Sequence, residues 1–263
     1  VPGGSSSGTA TDEACGLVDF AIGTDTGGSV RVPASNCGIW GWRPTHGVVS
    51  VAGVMPLAPM FDTVGIFARD VDVLRRAARV LLADDTPSSS AASTPTTVRL
   101  VTETFDTADA DVRQAVRRAS AFVERVFEQR IGRASLAELC GDASATDWNN
   151  WRDIYRRLVG AEVLSCHGDW LATEGPALGP ITEAGIEHAK TIDRAQLGEV
   201  IGLRERYGSN LRRALGPRDL LCIPTAPKIA PLKSNASLDR NSDYYHLTVA
   251  FNAIAGVGRL PQV

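Results

Sequence analysis

The chain has 263 residues, 44% of them hydrophobic, and a formal net charge of −3. That is enough apolar material to close one large core of the size common in α/β domains. Basic and aromatic residues do not gather into one surface, and the longest apolar stretches break at a charge or a glycine well short of a bilayer crossing. Neither nucleic acid nor a membrane is therefore an indicated partner.

The chain opens with the serine-glycine run Gly3-Gly4-Ser5-Ser6-Ser7-Gly8. Thr9 to Cys15 then reads as a short helix and Leu17 to Ile22 as a strand, which delivers the run Gly23-Thr24-Asp25-Thr26-Gly27-Gly28-Ser29-Val30-Arg31. The Gly-Gly pair before Ser29 lets the backbone fold tightly and aim several N–H groups at one point beside the hydroxyl. That arrangement reads as an oxyanion hole with its nucleophile attached. Ser5 stands 24 residues before Ser29. A phosphate loop would need Gly-Lys-Ser/Thr at its end, and neither run has a lysine.

Asp70 can cap a helix whose apolar residues Val71, Leu74, Ala78 and Leu81 recur at helical spacing. Asp84 to Thr97 is rich in Ser, Thr, Ala and Pro and reads as a surface linker. Val98 to Val101 predicts a strand, followed by a helix with Val112, Val116, Ala119, Val123 and Val126 on one side. Its Arg113, Arg117, Arg118 and Arg125 read as a solvated face opposite that stripe. The aromatic group Trp148, Trp151 and Tyr155 supplies substrate-binding candidates, since rings can wall an acyl pocket or simply staple the helix to the core.

His167 lies near Asp169, but the serine runs lack the G-x-S-x-G elbow that a Ser-His-Asp hydrolase places between strand and helix. His46 and His188 are equally unsupported as catalytic groups. Cys15, Cys37, Cys140, Cys166 and Cys222 are scattered with no CxxC spacing, so neither a disulfide framework nor a zinc or other metal site is expected. Reduced, buried thiols are the expectation, Cys37 included although it follows Ser29 by eight residues. Cysteine usage alone points to the cytoplasm.

Together with Val32-Pro33-Ala34-Ser35-Asn36-Cys37-Gly38 and Arg43-Pro44-Thr45-His46-Gly47, the two serine runs resemble the amidase signature family of amide hydrolases. The resemblance continues through Pro56-Leu57-Ala58-Pro59, Phe61-Asp62-Thr63-Val64-Gly65 and Ala68-Arg69. It returns in Cys222-Ile223-Pro224-Thr225-Ala226-Pro227 and Asn252-Ala253-Ile254-Ala255-Gly256. It implies an α/β fold with a mixed central sheet covered by helices on both faces.

It also implies a Ser-Ser-Lys relay. Ser29 would attack the amide carbonyl, Ser5 would bridge the proton path with its peptide bond in the cis form, and a buried, neutral lysine would accept the proton. The N–H groups of Thr26, Gly27, Gly28 and Ser29 would hold the oxyanion. Ammonia or an amine leaves, and water releases the acid from the acyl-enzyme without metal or organic cofactor. Asp25 and Arg31 are expected to pair and hold the turn, with Asp62 a second structural carboxylate.

The family's lysine lies upstream of the first serine run, and this chain has only Lys190, Lys228 and Lys233. The last two sit in a Pro-rich stretch, where a solvated loop lysine is the ordinary reading. The chain accordingly reads as one amidase-signature domain over residues 1–263, incomplete at both ends. Its parts are a serine-glycine core over 1–83, a linker over 84–97, a helical substrate-side part over 98–218 and a return to the core over 219–263. A small-molecule amide is the expected partner, and a homodimer is left open.

Gly38-Ile39-Trp40-Gly41-Trp42-Arg43-Pro44 and Phe61 to Gly65 look most like the amidases that include plant indole-3-acetamide hydrolases. Two alternatives stand beside that reading. The glutamine-hydrolysing subunit of tRNA-dependent amidotransferases usually follows its turn with Arg-Tyr-Gly, where Ser50 is followed here by Val51-Ala52-Gly53. A non-catalytic interaction domain similar to plant import receptors would have lost catalytic residues, and both Ser5 and Ser29 are kept.

Overall fold

The computed structural model describes residues 1–83, 97–127, 131–233 and 242–263. The expected linker lies almost wholly outside these. The front of the chain runs α1 (Ser7–Ala14), β1 (Ala21–Thr24), α2 (Arg31–Cys37), β2 (Trp40–Trp42), β3 (Val64–Ala68) and α3 (Val71–Leu81). β3 is the centre of an antiparallel sheet in the order β1-β3-β2, with Gly23 opposite Gly65 and Gly41 opposite Phe67. Every residue of β3 is buried, as a central strand covered on both faces requires.

α3 follows its sequence signal. Asp70 caps it by accepting from the N–H groups of Asp72 and Val73 at 2.8 and 3.0 Å. Leu74 is buried against Ile66 and Ala68 with Ala78 and Leu81 beside it, while Val71 in the first turn is exposed. The strand expected over Leu17–Ile22 is corrected: the ladder covers Ala21–Thr24, and Leu17 to Asp19 form a bend. Arg69 explains the shift, because its guanidinium takes the carbonyls of Glu13 and Val18. A backbone held by a side chain there does not join a ladder, and Leu17 and Phe20 are left exposed. Beside them, the outer edge of β1 and α3 enclose an open groove of about 630 Å³ lined by Phe20, Ile22, Ile66, Val73 and Val80.

The back of the chain builds a parallel sheet from β4 (Thr97–Val101), β5 (Gly132–Ala134) and β6 (Asp219–Cys222), in the order β5-β4-β6. Strands of both senses are thus present among helices, as expected for an α/β fold, and among the described residues they fall in two three-stranded sheets. The other helices are α4 (Thr102–Thr107), α5 (Ala110–Phe127), α6 (Leu136–Cys140), α7 (Trp148–Glu174), α8 (Pro180–Lys190), α9 (Leu197–Ala214) and α10 (Asp243–Gly258). α5 has the expected span, but its stripe is shallow: Val112, Val116 and Val123 are half-buried, while Ala119 and Val126 face solvent.

The main core lies where α7, α9 and α10 meet around Phe61, with Trp151, Ile154, Leu158, Tyr207, Leu211 and Ile254 packed together. α10 is rich in small residues and is buried from Thr248 to Gly258, so its neighbours come very close. A Cβ on Gly208 of α9 would stand 2.4 Å from the Val257 carbonyl oxygen.

The thiol expectation needs correction. All five cysteines are free, but Cys15 and Cys166 are exposed. Cys15 caps the C-terminus of α1, and Cys166 belongs to the long helix α7 outside its buried positions. Cys37 packs with Ala10, Val30, Ala34 and Phe67, and burial raises its thiol, which suits a packing residue.

Candidate active site

The turn between β1 and α2 is built on Asp25. Its carboxylate is fully buried and accepts from the N–H groups of Gly28, Val30 and Arg31 at 3.0, 3.1 and 3.3 Å. Arg31 closes a fork on it, Nη2 at 2.7 Å and Nε at 3.0 Å, and Arg43 adds Nη1 at 3.0 Å. The Asp25 carbonyl in turn accepts from Arg43 Nη1 at 2.5 Å and Thr63 Oγ1 at 2.9 Å. Burial alone would raise the Asp25 carboxyl, but the Arg31 charge and hydrogen bonds, the Arg43 charge and the Val30 N–H together hold it well below its ordinary value. Arg43 is lowered to about 10 by burial, with Asp25 opposing, and so keeps its proton at neutral pH.

The expected Asp25–Arg31 pair is therefore present, and Arg43 is a third member that sequence reasoning assigned no role. Two more partners come from the far end of the chain. Arg31 Nη1 donates to the Asn252 carbonyl at 3.0 Å and to Gln262 Oε1 at 2.6 Å. Asp62 also acts as expected, taking Thr26 Oγ1 at 2.5 Å and the N–H groups of Leu57 and Ala58 at 2.8 and 2.9 Å. The turn is thereby fastened on both flanks before any substrate arrives.

Gly28 has φ +112°, and a Cβ there would meet Asn252 Cγ at 2.9 Å, so only glycine fits. Gly28 spends its N–H on Asp25, whereas those of Thr26, Gly27 and Ser29 have no partner among the described residues. Ser29 is half-buried at the head of α2. A Cβ on Gly27 would fall 2.2 Å from Tyr155 Oη, which puts the tyrosine hydroxyl directly against the turn.

The other aromatic candidates stand elsewhere. Trp151 is wholly buried, donating from Nε1 to the Ala145 carbonyl at 2.8 Å. Trp148 packs on Phe251 of α10 and donates to Thr107 Oγ1 at 2.9 Å.

The two serine runs meet. A Cβ on Gly4 would be 3.5 Å from the Ser29 Cα and 2.9 Å from Pro33 Cδ, and Ser6 Oγ donates to the Thr24 carbonyl at 3.4 Å. Ser5 itself is exposed. Its expected cis peptide bond is corrected, since every described peptide bond is trans. The chain reverses there through left-handed Gly3 and Gly4, at φ +70° and +72°, without the cost of a non-proline cis bond.

No lysine of the chain reaches the turn as a buried base. Lys228 Nζ lies 3.9 Å from Asp109 at the surface, Lys190 pairs with Glu187 at 2.7 Å, and Lys233 is exposed. Two of the four histidines make structural hydrogen bonds: His46 donates to the Pro59 carbonyl at 2.8 Å and His167 to that of Pro56 at 2.6 Å.

A buried Asp-Arg-Arg hub thus holds the turn that carries Ser29 on an α/β frame. The amidase family model matches residues 1–261, and the chain belongs to the amidase signature family. It is 36% identical over 252 residues to Amidase 1 of Oryza sativa subsp. japonica, covering 88% of this chain and 57% of that protein. It is 28% identical over 280 residues to the translocon at the outer membrane of chloroplasts 64 of Pisum sativum, covering 100% of this chain and 46% of that protein. A solved amidase superposes with TM-score 0.80 at 24% identity, over 99% of this chain and 58% of that one, a likeness of fold. The chain thus spans about half to three fifths of the length of these relatives.

Proposed function

We propose that this chain supplies the nucleophilic part of an amide hydrolase acting on a small-molecule amide. Ser29 is the nucleophile, Ser5 carries the proton, and the N–H groups of Thr26, Gly27 and Ser29 receive the oxyanion, each donor of this kind being worth roughly 3 kcal/mol. Gly28, whose N–H is held by Asp25, sets the shape of the turn more than it donates. Amine departure leaves an acyl-enzyme that water cleaves by the same path. Because the three lysines are at the surface, this relay needs its base from outside residues 1–263.

The observation that carries the reading is the meeting of the two serine runs at a turn fastened by Asp25. Tyr155, against Gly27, is the aromatic candidate for a substrate contact, ahead of Trp148 and Trp151. Free cysteines support a reducing compartment such as the cytoplasm. Among the described residues no helix is long and apolar enough to cross a membrane.

One second reading, a non-catalytic interaction domain, is favoured by the likeness to the pea translocon protein. Ammonia release from small aryl and alkyl amides by a full-length protein containing this chain separates the two. Ser29→Ala should lower turnover by on the order of 10⁴ or more with the fold intact, and Ser5→Ala should slow acylation and deacylation together. Turnover unchanged by Ser29→Ala would reject the nucleophile. No turnover in the parent would favour the interaction domain.

A further inference from the structure

Away from the serine turns, α7 forms one wall of a polar cleft of about 320 Å³ with α8 and the turn after it. The walls are set by backbone proximity. Gly160 of α7 would, with a Cβ, stand 2.5 Å from Ile192 Cδ1 and 3.3 Å from Ala189 Cβ. Arg152, Asp153, Arg156 and Arg157 enter the cleft from α7, His188 from α8, and Asp193 and Gln196 from the following turn.

Three arginines share this cleft with two carboxylates, Asp153 and Asp193, which leaves one positive charge in excess. Arg152 is satisfied by Asp153, with Nε and Nη2 both 3.1 Å from Oδ1. Asp193 Oδ1 takes the backbone N–H of Ala195 at 2.9 Å. Arg157 Nη1 donates to Gln196 Oε1 at 2.8 Å, a neutral partner that leaves its charge unmet. Arg156 is half-buried and has neither a hydrogen bond nor an ion pair among the described residues. Burial and the charges of Arg156 and Arg157 lower the basicity of His188 against the opposing pull of Asp153, so the imidazole is neutral at pH 7 and adds a hydrogen-bonding group without a charge.

Guanidinium groups left unpaired in a formed cleft suit planar or tetrahedral oxyanions, which they bind by charge-assisted forks. We propose that this cleft binds a small oxyanion, a phosphoryl or a carboxylate group, held chiefly by Arg156 and Arg157 with His188 beside it. The site shares no lining residue with the serine turns, and the proposal is independent of amide hydrolysis.

Calorimetric titration of the chain with inorganic phosphate and, separately, with acetate at constant ionic strength tests it. Saturable binding of at least one anion is expected, with tighter phosphate marking a phosphoryl site and tighter acetate a carboxylate site. Arg156→Gln and Arg157→Gln should each weaken binding about ten-fold or more, whereas Arg117→Gln on exposed α5 should not. Bound anion should also raise the pH at which His188 titrates, followed by NMR of the imidazole signals. No saturable binding of either anion, or binding equal in Arg156→Gln, would overturn the site. If Arg156→Gln fails to fold by circular dichroism, Arg156→Lys replaces it: the charge is kept and the fork lost, so unchanged affinity in that variant overturns the proposal as well.

Discussion

Asp25 sits at a point where removing one group strands several others. Asp25→Asn would leave the Arg31 and Arg43 guanidinium groups buried without their counter-charge, and breaking a buried pair of this kind costs about 3–5 kcal/mol. Urea unfolding should read that loss directly. The pH dependence follows from the lowered carboxyl. Asp25 contributes stability in full above its ordinary value of 3.8, and that contribution is lost as pH falls toward its folded value. Wild-type urea midpoints should therefore drop between about pH 5 and pH 2 more steeply than those of Asp25→Asn. Gly27 is the second sensitive residue. Gly27→Ala drives a methyl into the Tyr155 hydroxyl and should cost about 1–3 kcal/mol, as overpacking does. The same substitution in a Tyr155→Ala background should cost clearly less, and equal costs in the two backgrounds would deny the contact.

Helices and strands show which local signals survive in the folded chain. The α3 cap is local, and Asp70→Ala should lower thermal stability by about 1 kcal/mol. Gly208→Ala in α9 is a harsher test, because the obstacle is the Val257 carbonyl and backbone cannot swing aside; about 1–3 kcal/mol is expected by calorimetry. The helix before β1, the β4 strand and the span of α5 were all legible from apolar spacing and turn residues. The strand expected at Leu17 was not, because Arg69, far along the chain, takes the Val18 carbonyl that a ladder would use. Val126 illustrates the same limit: its spacing fits a buried face, but burial depends on what packs against α5, which spacing does not contain.

Across the whole molecule, the part of the site that was readable is the part that is contiguous. Both serine runs and the Asp25–Arg31 pair lie within the first 31 residues, where turn chemistry is written in adjacent letters. Arg43, Asn252 and Gln262 were invisible as turn supports because the last two lie more than 220 positions from Arg31. Only the closing of the chain, with Arg43 and Gln262 exchanging backbone hydrogen bonds at 2.8 and 2.9 Å, joins them. The lack of a buried lysine also has a measurable outcome: the 263-residue chain should release ammonia no faster than its own Ser29→Ala variant. A faster wild type would place the base inside these residues and make Lys228 and Lys233 the first positions to change. The outer edge of β1 matters for handling. It has no strand beside it among the described residues, and Ile22, 54% exposed, faces the open groove. Such an edge is a template for pairing with another chain. Sedimentation should show association that grows with protein concentration, and Ile22→Lys should return the chain to monomer with little change in melting temperature.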